Sequence, residues 1–495
     1  MPSATTGWRL ASLAVVMSTT AALAGCAAFG DARTTQRLAP VSDAARSLPA
    51  QHGQWPAQDW ADQFGDPQLG ALTREALAGS PTLQAALARL ASARALAEGA
   101  RSGLYPHAGI EGGFHRERIS ETDTLRGTPL AGRWVDQAQL SGTLSYDLDF
   151  WGRHRAALQA ALSGVSEADA EAQSAKLVLT TGVARVYARL ATLFALRDVT
   201  AQTIDQRREL ARVGRQRLAA GLDTQVGLTL QDADLAGAEA DLTRIDDEIA
   251  VVRHQLAALL GKGPDRGLAI ARPVLLSGAA RKPVAGLPDD ARIGLLSRRP
   301  DLVAARWRVE AASKDIEVAR TAFLPDISLN AMAGLTTITP SDFLLGASRA
   351  FSFGPSLHLP VFEGGRLRAD LHGRYAAYDA AVADYNQTLT QALRDTADTV
   401  DGLQATGTEI TQRQHALQLA DHAYALAARR WQAGLVNQLA VLAAQSEVLA
   451  QRQQVAQLQG QRLDLQFRLI WTLGGGYAGH PPVAGTAAPA STQMP

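Results

Sequence analysis

Ala138-Gln139-Leu140-Ser141-Gly142-Thr143-Leu144-Ser145-Tyr146-Asp147-Leu148-Asp149-Phe150 alternates without a break. Even positions are apolar or Gly, and odd positions are Gln, Ser, Thr or Asp. Successive side chains on a strand point to opposite faces, so this stretch is one strand with an apolar side and a wet side. The same pattern returns as Ile327, Leu329, Ala331, Ala333 and Leu335 against Asp326, Ser328, Asn330 and Gly334, with Met332 the exception. It returns once more as Phe351, Phe353, Leu357, Leu359 and Val361 against Ser352, Gly354, Ser356 and His358. Strands of this length fit a transmembrane β-barrel with a polar lumen, although a half-buried soluble sheet carries the same alternation.

Around these strands the chain repeats itself. Gly152-Arg153, Arg217, Ala220-Gly221-Leu222 and Leu260-Gly261 recur as Gly365-Arg366, Arg430, Ala433-Gly434-Leu435 and Leu473-Gly474, each 213 residues later. Upstream the offset is 219: Pro81, Leu83, Ala85-Ala86, Arg89, Ala100-Arg101 and Pro106 return as Pro300, Leu302, Ala304-Ala305, Arg308, Ala319-Arg320 and Pro325. The six-residue difference falls between Pro106 and Gly152. Each copy then holds one hairpin, about 107–151 and 326–362, with polar turns at 120–133 and 339–348 that absorb the difference. Trp134, Trp151, Tyr105 and Phe362 stand at strand ends, where an aromatic girdle belongs.

Four strands cannot close a barrel, and an open edge in lipid leaves backbone groups unsatisfied. The chain is therefore expected to oligomerise, with eight strands in a dimer or twelve in a trimer.

The rest of each copy reads as long helix. No proline occurs from Leu130 to Gly263 or from Val361 to His480. Each window is broken only by its Gly turn, which supplies the left-handed residue that ends a helix. A run from Arg153 to Leu218 makes a rod of roughly 100 Å at ~1.5 Å per residue, and its many alanines favour close packing in a coiled coil or helical barrel. Asp66-Pro67 and Ser80-Pro81 mark two helix starts, and Asp289 is expected to cap the helix after the linker.

Lys and Arg balance Asp and Glu at 48 each in 495 residues, which leaves no global basic surface for nucleic acid. The single cysteine excludes a disulfide framework. Arg9 and the apolar stretch Leu10–Leu23 precede Leu23-Ala24-Gly25-Cys26, which resembles a bacterial lipobox with Cys26 as the lipidated residue. Ala27, in place of Asp, implies export to the outer membrane.

The expected organisation is a signal peptide over 1–25, a lipid-anchored tether over 26–56, a first unit over 57–263 and a linker over 264–288. A second unit over 289–476 and a disordered tail over 477–495 follow. The helices occupy about 153–260 and 364–473.

No HExxH, CxxC, GxSxG or Walker A motif occurs. Gly474, Gly476 and Gly479 satisfy GxGxxG but follow a helix and enter a tail, which is the wrong context for a dinucleotide. Asp147 and Asp149, two apart, are expected to share the lumen face of a barrel strand rather than to form an acid–base pair. His415 and His422 are two helical turns apart, too far for one ion. The reading is a non-enzyme with no cofactor and no metal.

Arg299-Pro300-Asp301-Leu302, Val318-Ala319-Arg320 and Phe323-Leu324-Pro325-Asp326-Ile327-Ser328-Leu329 resemble the signature of TolC-like outer membrane factors, in the lipoprotein branch of multidrug efflux channels. Trp60, Phe64-Gly65-Asp66-Pro67 and Ala433-Gly434 agree with it. The resemblance implies a mixed α and β membrane protein: a homotrimer whose twelve-stranded outer-membrane β-barrel continues into a long periplasmic α-helical barrel, with a small mixed equatorial domain. It also implies passive conduction, a periplasmic adaptor protein and, through it, an inner-membrane proton-driven transporter. Adaptor docking would fall at the tips, around Arg217, Gly221, Asp223, Arg430, Trp431, Gly434 and Asn437. Relatives often gate with aspartates after the second tip, where Ala440 and Ala443 stand here; Gln438, Ala440, Ala443 and Gln445 are then the expected gate lining. Two other readings remain at this point, an exit duct for type I protein secretion and a periplasmic coiled-coil scaffold without a pore.

Overall fold

The computed structural model describes residues 33–40, 48, 53–122, 126–276 and 287–479. The signal peptide, Cys26, parts of the tether and linker, and the tail from 480 lie outside the described residues.

Two helices open the described fold, α1 (Pro67–Gly79) and α2 (Pro81–Ser102). The Asp66 carboxylate accepts the Gln68 N–H at 3.1 Å and so caps α1. Ser80 precedes α2 without a side-chain cap bond. The strands are β1 (His107–Arg118), β2 (Trp134–Asp147), β3 (Asp326–Thr337) and β4 (Arg349–His358). Between β2 and β3 come α3 (Arg153–Ala219), α4 (Gln225–Leu259), the short α5 (Asp265–Leu268) and α6 (Ala291–Arg298), then α7 (Pro300–Thr321). The long helices α8 (Arg366–Gln432) and α9 (Gln438–Thr472) follow β4. Asp290, not Asp289, precedes α6, and its carboxylate receives the Trp55 indole N–H at 3.0 Å instead of capping the helix.

The two halves use helices of equal length, 22, 67 and 35 residues in each. At two matching places the backbone comes so close that only glycine fits. A Cβ on Gly261 (φ +70°) would lie 2.2 Å from the Gly79 carbonyl oxygen, and one on Gly474 (φ +83°) 1.8 Å from that of Arg298. The end of α4 thus abuts the start of α2, and the end of α9 abuts the start of α7, making two stacked columns. α3 packs against both columns, and among the helices of the described residues α8 packs mainly on the α7/α9 column. The layers therefore run α2/α4, α3, α7/α9, α8, and the outer faces of α2/α4 and α8 have no further helix against them among the described residues. α3 contains a window apolar enough to cross a membrane by composition, but 61% of that window is buried within the protein.

Where the columns meet α3 the core is aromatic: Trp60, Phe64 and Phe467 cluster, the last two with ring centroids 4.5 Å apart. Beside them the buried Tyr187 hydroxyl donates to Asp66 at 2.9 Å and accepts from Gln68 at 2.8 Å. Burial first, then the Asp66 carboxylate, push the Tyr187 phenol well above its ordinary value. Asp66 also takes the Val274 N–H at 3.0 Å, which ties the chain after α5 to α1 and α3.

The tether is not loose where it is described. Thr35 donates its N–H and hydroxyl to Asp379, and Ala39 N–H donates to Asn386, whose amide returns a bond to the Arg37 carbonyl. Leu48 is buried in the core formed by α6, α7 and α8. At the other end Tyr477 is half-buried and Gly479 N–H bonds the Ser297 carbonyl, so chain packing persists three residues past the expected boundary.

Candidate channel wall and periplasmic tips

The four strands form one antiparallel sheet in sequence order, so the two expected hairpins are joined edge to edge through β2 and β3. Directly opposed residues share a face, and the register aligns Ile110, Gly142, Ala333 and Phe351, then Ala108, Leu144, Ala331 and Phe353. The other face carries Glu111, Ser141 and Gly334, then Gly109, Thr143, Met332 and Ser352. One side is apolar and open, with Phe353 92% and Ile110 82% exposed. Leaving such groups in water forfeits ~1.5–3 kcal/mol per large side chain, so the face requires an apolar environment. On the polar side Ser328, Asn330 and Ser356 bond to one another at 2.8–3.2 Å. Asp326 and His358 stand 219 and 213 residues beyond His107 and Ser145, the pair at the matching place in the first hairpin.

Asp147 ends β2 opposite Ser328, on the polar face, 3.6 Å from His154. Asp149 is different: the strand stops at Asp147, and the Asp149 carboxylate caps α3 by accepting the N–H groups of His154 and Arg155 at 3.1 and 3.0 Å. It does not occupy the strand-face position expected for it. The alternation in sequence runs three residues past the end of β2, into the turn that precedes α3.

A cavity of about 370 Å³ lies where sheet and helices meet. Its wall includes Trp151, whose indole N–H bonds the Pro325 carbonyl at 2.7 Å, and the ion pair Arg153–Asp326 at 3.6 Å. No cluster of His, Cys, Asp or Glu with metal-binding geometry occurs among the described residues.

At the far end the two tips share one backbone. Leu222 N–H bonds the Arg217 carbonyl and Leu435 N–H the Arg430 carbonyl, each at 2.8 Å, around Gly221 (φ +71°) and Gly434 (φ +70°). This six-to-one closure satisfies carbonyls that the helix end leaves open. Thr224 caps α4 through its hydroxyl, and Asn437 caps α9 through its amide oxygen. Side chains then diverge. Arg217 pairs with Asp223 at 3.2 Å and donates to the Leu222 carbonyl at 2.9 Å. The Thr224 N–H first, then the Arg217 guanidinium, hold the Asp223 carboxyl below the ordinary range. At the second tip Val436 stands where Asp223 does, so Arg430 has no acid of its own turn to hold, and Trp431 beside it is exposed.

Of the expected gate residues, Ala440 and Ala443 are exposed and Gln445 is half-buried. Gln438 reaches back to α3 and donates to Glu209 at 2.6 Å. Arg212 also binds Glu209 and is the leading cause that holds this carboxyl below its ordinary range. Sequence reasoning missed Glu209 and the buried Gln206, whose amide bridges α9 at the Leu442 carbonyl and Ser446 hydroxyl, at 3.0 and 2.9 Å. Nothing local distinguishes either from the other polar residues of α3.

A sheet with one face for lipid and one for water, set on helices of this length, is the geometry of a channel wall. The sequence profile of the outer membrane efflux protein family matches residues 72–262 and 294–475. The chain belongs to the outer membrane efflux protein family. It is 38% identical over 365 residues to the fusaric acid resistance protein FusA of Burkholderia cepacia, covering 72% of this chain and 68% of that one. It is 31% identical to the multidrug resistance outer membrane protein MdtP of Escherichia coli, covering 95% and 97%. Among solved structures, the outer membrane protein VceC of Vibrio cholerae superposes with a TM-score of 0.78 at 35% identity, over 85% of this chain and all of that one. The outer-membrane channel OprN superposes with a TM-score of 0.77 at 26% identity, over 90% and 98%. This chain is thus an outer-membrane efflux channel component with a periplasmic helical extension, from a family of transport proteins rather than enzymes.

Proposed function

We propose that three copies close into a twelve-stranded barrel above an α-helical barrel and form the passive exit duct of a tripartite pump. The observation that carries this is the pair of free boundaries on one protomer. Among the described residues β1 and β4 each have an unpaired edge, and the α2/α4 column and α8 each have a face without a helix against it, in the same lateral order. Joining β4 to β1 and α8 to α2/α4 of the next copy satisfies both layers with one rotation. The smaller mixed elements around Asp66 and Tyr187 form the equatorial girdle.

A lipid on Cys26 anchors the chain in the outer membrane, and the strap at 33–40 holds the following segment against α8. The tips at Arg217, Gly221 and Asp223 and at Arg430, Trp431, Gly434 and Asn437 receive a periplasmic adaptor, which links the duct to an inner-membrane proton-driven transporter. Asp147 faces the lumen, and the passage beyond the second tip narrows at Ala440 and Ala443 without charge. The names of FusA and MdtP point to drugs and other small toxic molecules as cargo, selected upstream by the transporter. Light scattering in detergent together with planar-bilayer recording tests the reading: a trimer that conducts is expected. A monomer that stays soluble without detergent once Cys26 is removed would refute it.

A further inference from the structure

The turn joining β3 to β4 departs from the polar turn expected there. It carries Phe343-Leu344-Leu345, whereas the turn joining β1 to β2 carries Glu121, Arg126 and Arg133. The apolar triad is held in a built loop. Two 3₁₀ turns, Pro340–Asp342 and Gly346–Ser348, flank it. Leu345 N–H bonds the Asp342 carbonyl at 2.9 Å, and the buried Ser348 donates its hydroxyl to the same carbonyl at 2.7 Å. Leu344 is nonetheless 84% exposed, and Leu345 is exposed beside it.

The direction of the loop follows from Val135. Its pairing with Glu117 puts Val135 on the polar face of the sheet, yet it is only 8% exposed. Val135 lies beyond the last β2–β3 pair, Ala138 with Thr337, where the connections at this end are the chain able to cover it. The turn at Pro340–Asp342 packs against β2.

We infer that this loop leans into the outer mouth of the channel, where Leu344 from three copies forms an apolar collar on the axis. The inference rests on the trimeric-barrel reading. Twelve strands about 4.8 Å apart and tilted about 40° put the wall roughly 12 Å from the axis. At the ~2 Å per residue of 3₁₀ backbone the four residues from Leu345 to Ser348 extend roughly 8 Å, and the leucine side chain supplies the rest of the reach. An apolar constriction of this kind excludes water and small ions by dewetting, while bulky amphiphilic cargo can part it. The collar would seal the outer end against ion leak independently of the periplasmic tips.

Leu344→Cys and, separately, Leu345→Cys are treated with a short bismaleimide in detergent, and the parent carrying only Cys26 sets the background. Severalfold more covalent dimer and trimer than in the parent is expected from at least one variant. A trimer by light scattering with no cross-linking above background in either variant overturns the collar and leaves the channel reading standing. Absence of a trimer overturns both. Modification by an impermeant maleimide from outside the cell without cross-linking places the loop on the outer rim and likewise overturns the collar.

Discussion

The two helical hairpins, α3 with α4 and α8 with α9, have the same lengths and the same tip backbone, yet charge is distributed differently across them. Between α3 and α4 runs a ladder of ion pairs: Arg189–Glu248, Arg197–Asp246, Arg207–Asp234, Arg208–Glu239 and Arg215–Asp232, at 2.6–3.8 Å. Between α8 and α9 the described residues give Arg452–Asp421 at 3.5 Å and Arg468–Asp395 at 3.7 Å. Apolar packing joins both hairpins, Val252 and Leu256 in a core with α3 and Leu469 and Leu473 in a core with α8, so the ion pairs are what differ. One backbone architecture thus tolerates two chemistries, and they respond differently to salt and acid. Exposed pairs are worth ~0.2–1 kcal/mol each and are screened by salt, whereas apolar burial is not.

The largest break in this comparison comes from reversing the ladder. Asp234→Lys, Glu239→Lys and Asp246→Lys together are expected to loosen α3 and α4 by about 2 kcal/mol at low salt, since each lost pair becomes a repulsion. The matching change on the second hairpin, Asp421→Lys, is expected to cost under ~0.5 kcal/mol. Amide hydrogen exchange resolves the two hairpins in one sample, and equal loss of protection in both would end the distinction.

Next in size, Gly221→Val and Gly434→Val force a branched side chain into a left-handed backbone at about 1–2 kcal/mol each. Neither Cβ would meet another atom within 4 Å, so the cost is backbone strain alone. The expected result is the same fall in local protection at both tips. A clear inequality would show that the tips differ in backbone energetics as well as in side chains.

Acid separates the tips again, more gently. The Asp223 carboxyl is depressed by the Thr224 N–H and by Arg217. Its contribution is therefore complete above the ordinary Asp pKa of about 3.9 and is lost as pH falls through its lower folded value. Protection of the Thr224 amide is expected to drop below pH ~4 while that of Asn437, beside Val436, holds. Parallel loss at both would mean that the tip responds to titration elsewhere.

Which parts of this were readable beforehand depended on the range of the interaction. The two faces of the sheet follow from local alternation in residues 138–147 and 326–335, and both tips from Ala-Gly-Leu, because a left-handed closure needs glycine. Asp149 was misread because the alternation has no mark for the strand's end, which is set by where α3 begins. The partners in the ladder were not legible either: Arg208 pairs with Glu239 and Arg207 with Asp234 only once α4 lies beside α3. The strap on Asp379, 344 residues from Thr35, belongs to the same class. The Leu344 loop passed as polar because Ser341, Asp342 and Ser348 surround it, while its apolar centre is visible only as exposure.

The smallest expected effect is also the most direct test of what the missing acid does. Val436 occupies the Asp223 position, one residue before the Asn437 cap and six after Arg430, the spacing that lets Arg217 close on Asp223. Val436→Asp should recreate that pair because the tip backbone, including the Leu435 N–H to Arg430 carbonyl bond, is already in place. The gain is bounded at ~1 kcal/mol, as for any exposed pair, and should vanish at high salt. Exchange at the second tip would slow and acquire the acid sensitivity of the first. In a bilayer the same change should lower the frequency of spontaneous opening if the uncharged second tip is the part that moves, whereas Asp223→Val at the first tip should leave that frequency nearly unchanged. The reverse pattern would assign the moving element to α3 and α4, and the ladder would then be what yields on opening rather than what resists it.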